Sequence, residues 1–119
     1  MSNTIDRVHT TARMSKIVRH AGLVYLCGQT SSGSAHEDAT AQTREVLARI
    51  DALLVEAGSD RSRLLSAVVH LKDMADFAAV NAEWEAWLPS GAAPARTTVQ
   101  APLAQQALRV EITVVAAAR

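Results

Sequence analysis

The arginine in PARTTVQ, Pro94 to Gln100, is the first residue whose type and setting could do chemistry. The stretch opens with proline and continues with small and β-favouring residues, as a strand does. Arg96 sits at its second strand position, in a part of the chain that is otherwise apolar. Such a guanidinium is either a solvated surface charge or one held out for an anionic ligand. The next strand-like run, ALRVEITVVA, adds Glu111. Its Leu108, Val110, Ile112 and Val114 share one face, and Arg109, Glu111 and Thr113 share the other. Cys27 reads as a small buried apolar residue. The four histidines, His9, His20, His36 and His70, show no metal-ligand spacing, so a zinc site is not expected. There is no phosphate-binding glycine loop, nucleophile elbow or dinucleotide fingerprint.

The elements that must carry these residues can be read in order. VRHAGLVYLCG reads as a hairpin, with Val18–His20 ending one strand, Ala21-Gly22 turning and Leu23–Cys27 returning. The loop QTSSGSAHE follows. DATAQTREVLARIDALLVEAG reads as a helix, with Val46, Leu47, Ile50, Leu53 and Leu54 on one stripe, Asp38 as cap and Gly58 as stop. RLLSAVVHLKD reads as a strand with Leu65, Ala67, Val69 and Leu71 on one face and Ser66, Val68 and His70 on the other. DMADFAAVNAEWEAWLP reads as a second helix, capped by Asp73, with Met74, Phe77, Val80 and Trp84 as its stripe and Pro89 as its end. Strands ARTTVQ and LRVEITVVA close the chain. The expected fold class is α+β, a β-β-α-β-α-β-β sandwich with two helices on one mixed sheet.

If the apolar sides of the last two strands match, Arg96, Thr98 and Glu111 all project from the face away from the helices. That face could simply be wet, since antiparallel sheets often have one solvated side. Val68 on the same side makes it mixed, as at a subunit interface enclosing a polar pocket. Trp84 and Trp87, three apart on the second helix, are expected in the core or at a subunit contact.

Composition narrows the function classes. The chain has 119 residues, 49% hydrophobic and 20% charged, which points to a single domain over residues 1–119. Twelve basic residues balance twelve acidic ones, so nothing draws the chain to nucleic acid or an anionic membrane. The lone cysteine suits a reducing compartment. The charged start MSNTIDRVHTTAR does not resemble a secretory signal, and VVAAA is too short to span a bilayer, so a cytoplasmic protein is expected.

Several stretches, taken in order, are characteristic: YLCGQ, EAGSD, VVHLKDMADFAAVNAEW, PARTTV and VEITVVA. Together they resemble the RidA family, also called the YjgF family, over nearly the whole chain. RMSKIV and EWEAWLPSGAAPARTTVQA resemble a side branch more than its best-known deaminases. The resemblance implies a chorismate-mutase-like fold and a homotrimer with active sites at subunit interfaces. It implies hydrolysis of reactive 2-imino acids, or their enamine tautomers, to 2-keto acids and ammonia, with no metal or organic cofactor.

On that resemblance Arg96 matches the carboxylate-gripping arginine, whose planar donors suit a carboxylate fork. Glu111 matches the glutamate that handles the catalytic water. Asn81 matches the asparagine of the VNA segment, as direct contact or as pocket support. Gly28 matches the glycine of the GQ strand end, where backbone can approach closely. Two positions depart from the pattern. Thr98 stands where a cysteine is usual, and Met14 where an aromatic is usual; both are expected in the substrate pocket, where they bear on substrate range. Two other readings remain open: a non-catalytic binder of small carboxylates or regulatory module, and an RNA-cleaving or translation-inhibiting protein. The balanced charge argues against the latter.

Overall fold

Residues 3–119 are described by a computed structural model. The elements are β1 (Asp6–Thr10), β2 (Ser15–His20), β3 (Leu23–Leu26), α1 (Ala39–Glu56), β4 (Leu64–Leu71), α2 (Phe77–Trp87), β5 (Ala95–Gln100) and β6 (Val110–Ala117). The strands form one six-stranded sheet in the order β1-β2-β3-β6-β4-β5. β4 and β5 run parallel, joined through α2, and the other neighbours are antiparallel. The mixed α+β sheet expected from the sequence is present, with one strand more. β1 was not anticipated because DRVHT is polar and mostly exposed, with only Val8 half-buried. It is an edge strand held by its ladder to β2 rather than by an apolar face.

The core lies between the helices and one face of the sheet. Ile17, Val24, Leu26, Ala67, Val69, Leu71, Val110, Ile112 and Val114 meet Val46, Leu47, Ile50 and Leu54 of α1 and Val80 and Trp84 of α2. Two expectations about faces change. A bulge between Leu64 and Ser66 turns Leu64 into the core and leaves Leu65 exposed. Met74 and Phe77 do not extend the stripe of α2 inward. Asp73 caps a single 3₁₀ turn over Met74–Asp76, and both apolar side chains remain exposed.

Local chemistry fixes the ends. Asp38 accepts from Ala41 N–H at 2.7 Å and caps α1. Gly58, at φ +80°, ends it, with Gly58 N–H donating to Val55 O and Ser59 N–H to Leu54 O. Ala21 and Gly22 both have positive φ, as a two-residue β2–β3 turn requires. Between the helices, Arg44 pairs in a fork with Glu83, and Asp51 accepts from both Arg61 and Trp87 Nε1.

Gln42, buried in α1, uses both ends of its amide. It donates to His36 O and Ala107 O and accepts from Arg109 N–H. These bonds fix where the chain enters β6, and therefore the register of Glu111. Past α1, Ser62 and then Arg119 bond the Asp60 carboxyl and lower it to about 2.

Two outcomes are expected. Gly58→Ala forces a β-carbon into the left-handed region and should cost about 1 kcal/mol or somewhat more in denaturant unfolding. Asp60 has a depressed folded-state value, so its contribution is present above its ordinary carboxylate range and fades as pH falls toward about 2. Denaturant unfolding below about pH 4 should therefore show a loss of stability in the wild type that is smaller in Asp60→Asn.

Candidate functional site

Arg96 stands opposite Ala67 in the β4–β5 ladder, and Ala67 is a core residue. Arg96 therefore lies on the helix-covered face, not on the open one. The expectation that the apolar sides of β5 and β6 match is corrected here. Within β5 only Arg96 and Thr98 are half-buried, while their neighbours Thr97 and Val99 are exposed. The reason is the sheet edge: beyond β4 the cover is supplied by α2, which presents Phe77, Asn81 and Trp84 at i, i+4 and i+7. Arg96 Nη2 donates to Asn81 Oδ1 at 2.7 Å. Its guanidinium carbon lies 5.9 Å from the Phe77 ring centroid and 5.7 Å from that of Trp84. Each such contact contributes about 0.5–1 kcal/mol at a partly exposed site. No carboxylate pairs with Arg96 among the described residues. Thr98 lies beside Val69 on the same face, and its Oγ1 is buried without a hydrogen-bond partner.

Glu111 lies on the opposite, uncovered face, directly across from His70 in the β4–β6 ladder. Gly28 forms its wall. The register Tyr25↔Val115 gives way to a bridge Gln29↔Ile112, so one extra residue bulges out at the end of β3. Gln29 exchanges backbone bonds of 2.9 and 3.1 Å with Ile112. A β-carbon at position 28 would press into Glu111 Oε2 and come within 3.0 Å of Glu111 Cδ and Thr113 Oγ1. Glycine at 28 leaves room for the Glu111 carboxylate through that close approach, not through its dihedrals. Burial raises the Cys27 thiol, and the Glu111 charge nearby adds to the rise. Gln29 Nε2 donates to Cys27 Sγ at 3.2 Å.

Met14 is exposed in the β1–β2 turn, where its carbonyl accepts from Thr11 N–H at 2.8 Å. It lies four strand steps from β5, about 19 Å at the usual spacing. The six expected site residues thus fall into three places in one chain. Arg96, Thr98 and Asn81 form one group, Glu111 and Gly28 a second, and Met14 stands apart. Phe77 was read as core stripe but is exposed, whereas Trp84 is in the core as expected; together the two rings flank Arg96. Their spacing with Asn81 was the available signal. Two larger clefts lie elsewhere. One, of about 560 Å³, is lined by Asp6, Arg19, His20 and Leu23 among others. The other, of about 490 Å³, is lined by His36, Glu37, Lys72, Asp73, Asp76 and Arg109 among others. Neither contains Arg96 or Glu111. Among the described residues no cluster of three His, Cys, Asp or Glu side chains could hold a metal ion, and no helix is long and apolar enough to cross a membrane.

The family model described as Endoribonuclease L-PSP matches residues 4–118. The RutC family protein YoaB of Escherichia coli is 45% identical over 114 residues, covering 96% of this chain and 98% of that protein. The crystal structure of a YjgF-family protein from Neisseria meningitidis superposes with a TM-score of 0.94 at 43% identity, covering 98% of this chain and 97% of the other.

The chain belongs to the RidA/YjgF family.

A more distant member of the RidA/YjgF family, from Salmonella typhimurium, is named 2-iminobutanoate/2-iminopropanoate deaminase and is 31% identical over the full length of both chains. In this RidA/YjgF chain the Gly28–Glu111 contact is directly testable. Gly28→Ala should swing the Glu111 carboxylate off the β3 backbone and lower stability by about 1 kcal/mol or less, because the atom in the way is the free end of a flexible side chain. A crystal structure of the variant with Glu111 unmoved would overturn that reading of the contact.

Proposed function

We propose that the chain is a hydrolase of small reactive 2-imino acids and their enamine tautomers, producing 2-keto acids and ammonia. The observation that carries this reading is Arg96. It is half-buried, braced by Asn81 and two aromatic rings, and without a carboxylate among the described residues. Its fork of donors suits a substrate carboxylate. The name of the Salmonella relative supports the reaction class.

The two groups of site residues are complementary in charge and separated in the single chain. We infer that they meet across a boundary between copies, in a homotrimer. Arg96, Asn81 and Thr98 of one copy would face Glu111 and Gly28 of the next, with Met14 at the rim. The uncovered sheet face supports this, because Tyr25, Val68 and Val99 leave an apolar strip there that a neighbouring copy would cover. In the site, Arg96 holds the carboxylate and so fixes the imino carbon. A water on Glu111 attacks that carbon, its oxygen forming the C–O bond while the C=N π pair moves to nitrogen. Glu111 takes the water proton and returns it to the amine. Glu111 then carries the carbinolamine's hydroxyl proton to nitrogen, the C–N bond breaks with its pair leaving on nitrogen as ammonia, and the oxygen lone pair forms the C=O of the ketone. No cofactor takes part. Balanced charge gives no electrostatic track for RNA, so the ribonuclease name of the family model is not carried to this chain.

The test follows the decay of 2-iminopropanoate and 2-iminobutanoate generated by an amino-acid oxidase. The wild type should accelerate it, and Glu111→Gln and Arg96→Ala should each lose roughly 10²-fold or more. An unchanged rate in Arg96→Ala would sink the reading. Val68→Asp should dissociate the assembly in sedimentation and abolish turnover with it; a fully active monomer would remove the shared-site arrangement.

A further inference from the structure

His70 is the residue of the open face that the mechanism above leaves unused. It sits directly across from Glu111 in the antiparallel β4–β6 ladder, with Val99 on its other side. Directly opposed residues place their β-carbons about 4.5–5.5 Å apart. No ion pair joins the two side chains among the described residues, so the imidazole and the carboxylate share a face without direct contact.

The ring gains no hydrogen bond at Nδ1, which is buried without a partner. A buried N–H left without an acceptor is costly, whereas an unprotonated ring nitrogen has no donor to waste. That assigns the ring proton to Nε2, the nitrogen left to the uncovered face. Of the other basic groups on that side, Arg109 bonds Asp76 and Lys72 bonds Gln106 O, while Lys16 acts on Cys27 from β2 and has no place in the β4–β6 ladder across from Glu111. His70 is therefore the N–H donor best placed to share a water with Glu111.

We propose that His70 is a water-positioning residue: its Nε2–H donates to the oxygen of the water whose proton Glu111 accepts. The imidazole gives up no proton. It holds the oxygen lone pair toward the imino carbon while the C–O bond forms and the π pair moves to nitrogen. This rests on the hydrolytic reading above.

The experiment compares wild type, His70→Phe, His70→Gln and Glu111→Gln in the imine-decay assay and in thermal unfolding. His70→Phe should lower kcat roughly 10²-fold with little change in KM, because Arg96 still grips the carboxylate. His70→Gln, which keeps an N–H donor, should recover most of that loss. The Tm of His70→Phe should equal or exceed that of wild type, since the substitution removes a buried unpartnered nitrogen. Full kcat in His70→Phe beside an inactive Glu111→Gln overturns the assignment to His70 alone. A fall in Tm accompanying the loss of activity overturns it as well, by making His70 structural. No acceleration by the wild type overturns the hydrolytic reading and this inference with it.

Discussion

β4 has β6 on one side and β5 on the other, and this double pairing decides where Arg96, Thr98 and Glu111 point. Side chains alternate strictly along a strand, and registered neighbours share a face. Ala67 therefore carries both Val114 and Arg96 to the helix side, while His70 carries both Glu111 and Val99 to the open side. Once Ala67 and Val69 are committed to the core, no choice is left for Arg96 or Glu111. The cation must lie under α2, and the anion must face outward.

That separation also explains how each charge is tolerated. A half-buried guanidinium usually rests on a carboxylate, which occupies its donors. Arg96 instead rests on two π faces and one amide oxygen. These stabilise the charge without neutralising it. Glu111 lies close against the Gly28 backbone, where any β-carbon would meet its carboxylate. Both groups are oriented before any ligand arrives, and orientation in advance is what a positioned charge contributes to chemistry.

Much of this was legible in the sequence, for physical reasons that differ by element. The stripe of α1 and its Asp38 and Gly58 ends were readable because helix periodicity and capping are local. The alternation in β6 was readable because Val110, Ile112 and Val114 are all large and apolar. β5 was misread because its one large apolar residue, Val99, faces the open side, so local hydrophobicity pointed the wrong way. Which side of an edge strand is covered depends on where a helix lies, and that is a tertiary fact. The bulge at Leu64–Ser66 and the one at Gly28 were invisible for a similar reason: each is a mismatch between two strands, not a property of either. The family resemblance picked out Arg96, Glu111, Asn81 and Gly28, yet it carried no information about which of them one chain could bring together.

The strand order has a consequence for how the molecule assembles. β6 lies between β3 and β4, and it is the last element in the sequence. Until it inserts, β1–β2–β3 and β4–β5 are separate pieces with no shared hydrogen-bonded edge. The hairpins can form from near neighbours in the chain, but the sheet closes only through pairings such as Leu23 with Ala117, nearly the full chain apart. Loop-closure entropy must be met before that contact gives anything back, and this pairing closes the longest loop in the sheet. Before that closure β3 and β4 each lack a partner on the side β6 will fill, in addition to the edges of β1 and β5 that the folded sheet keeps.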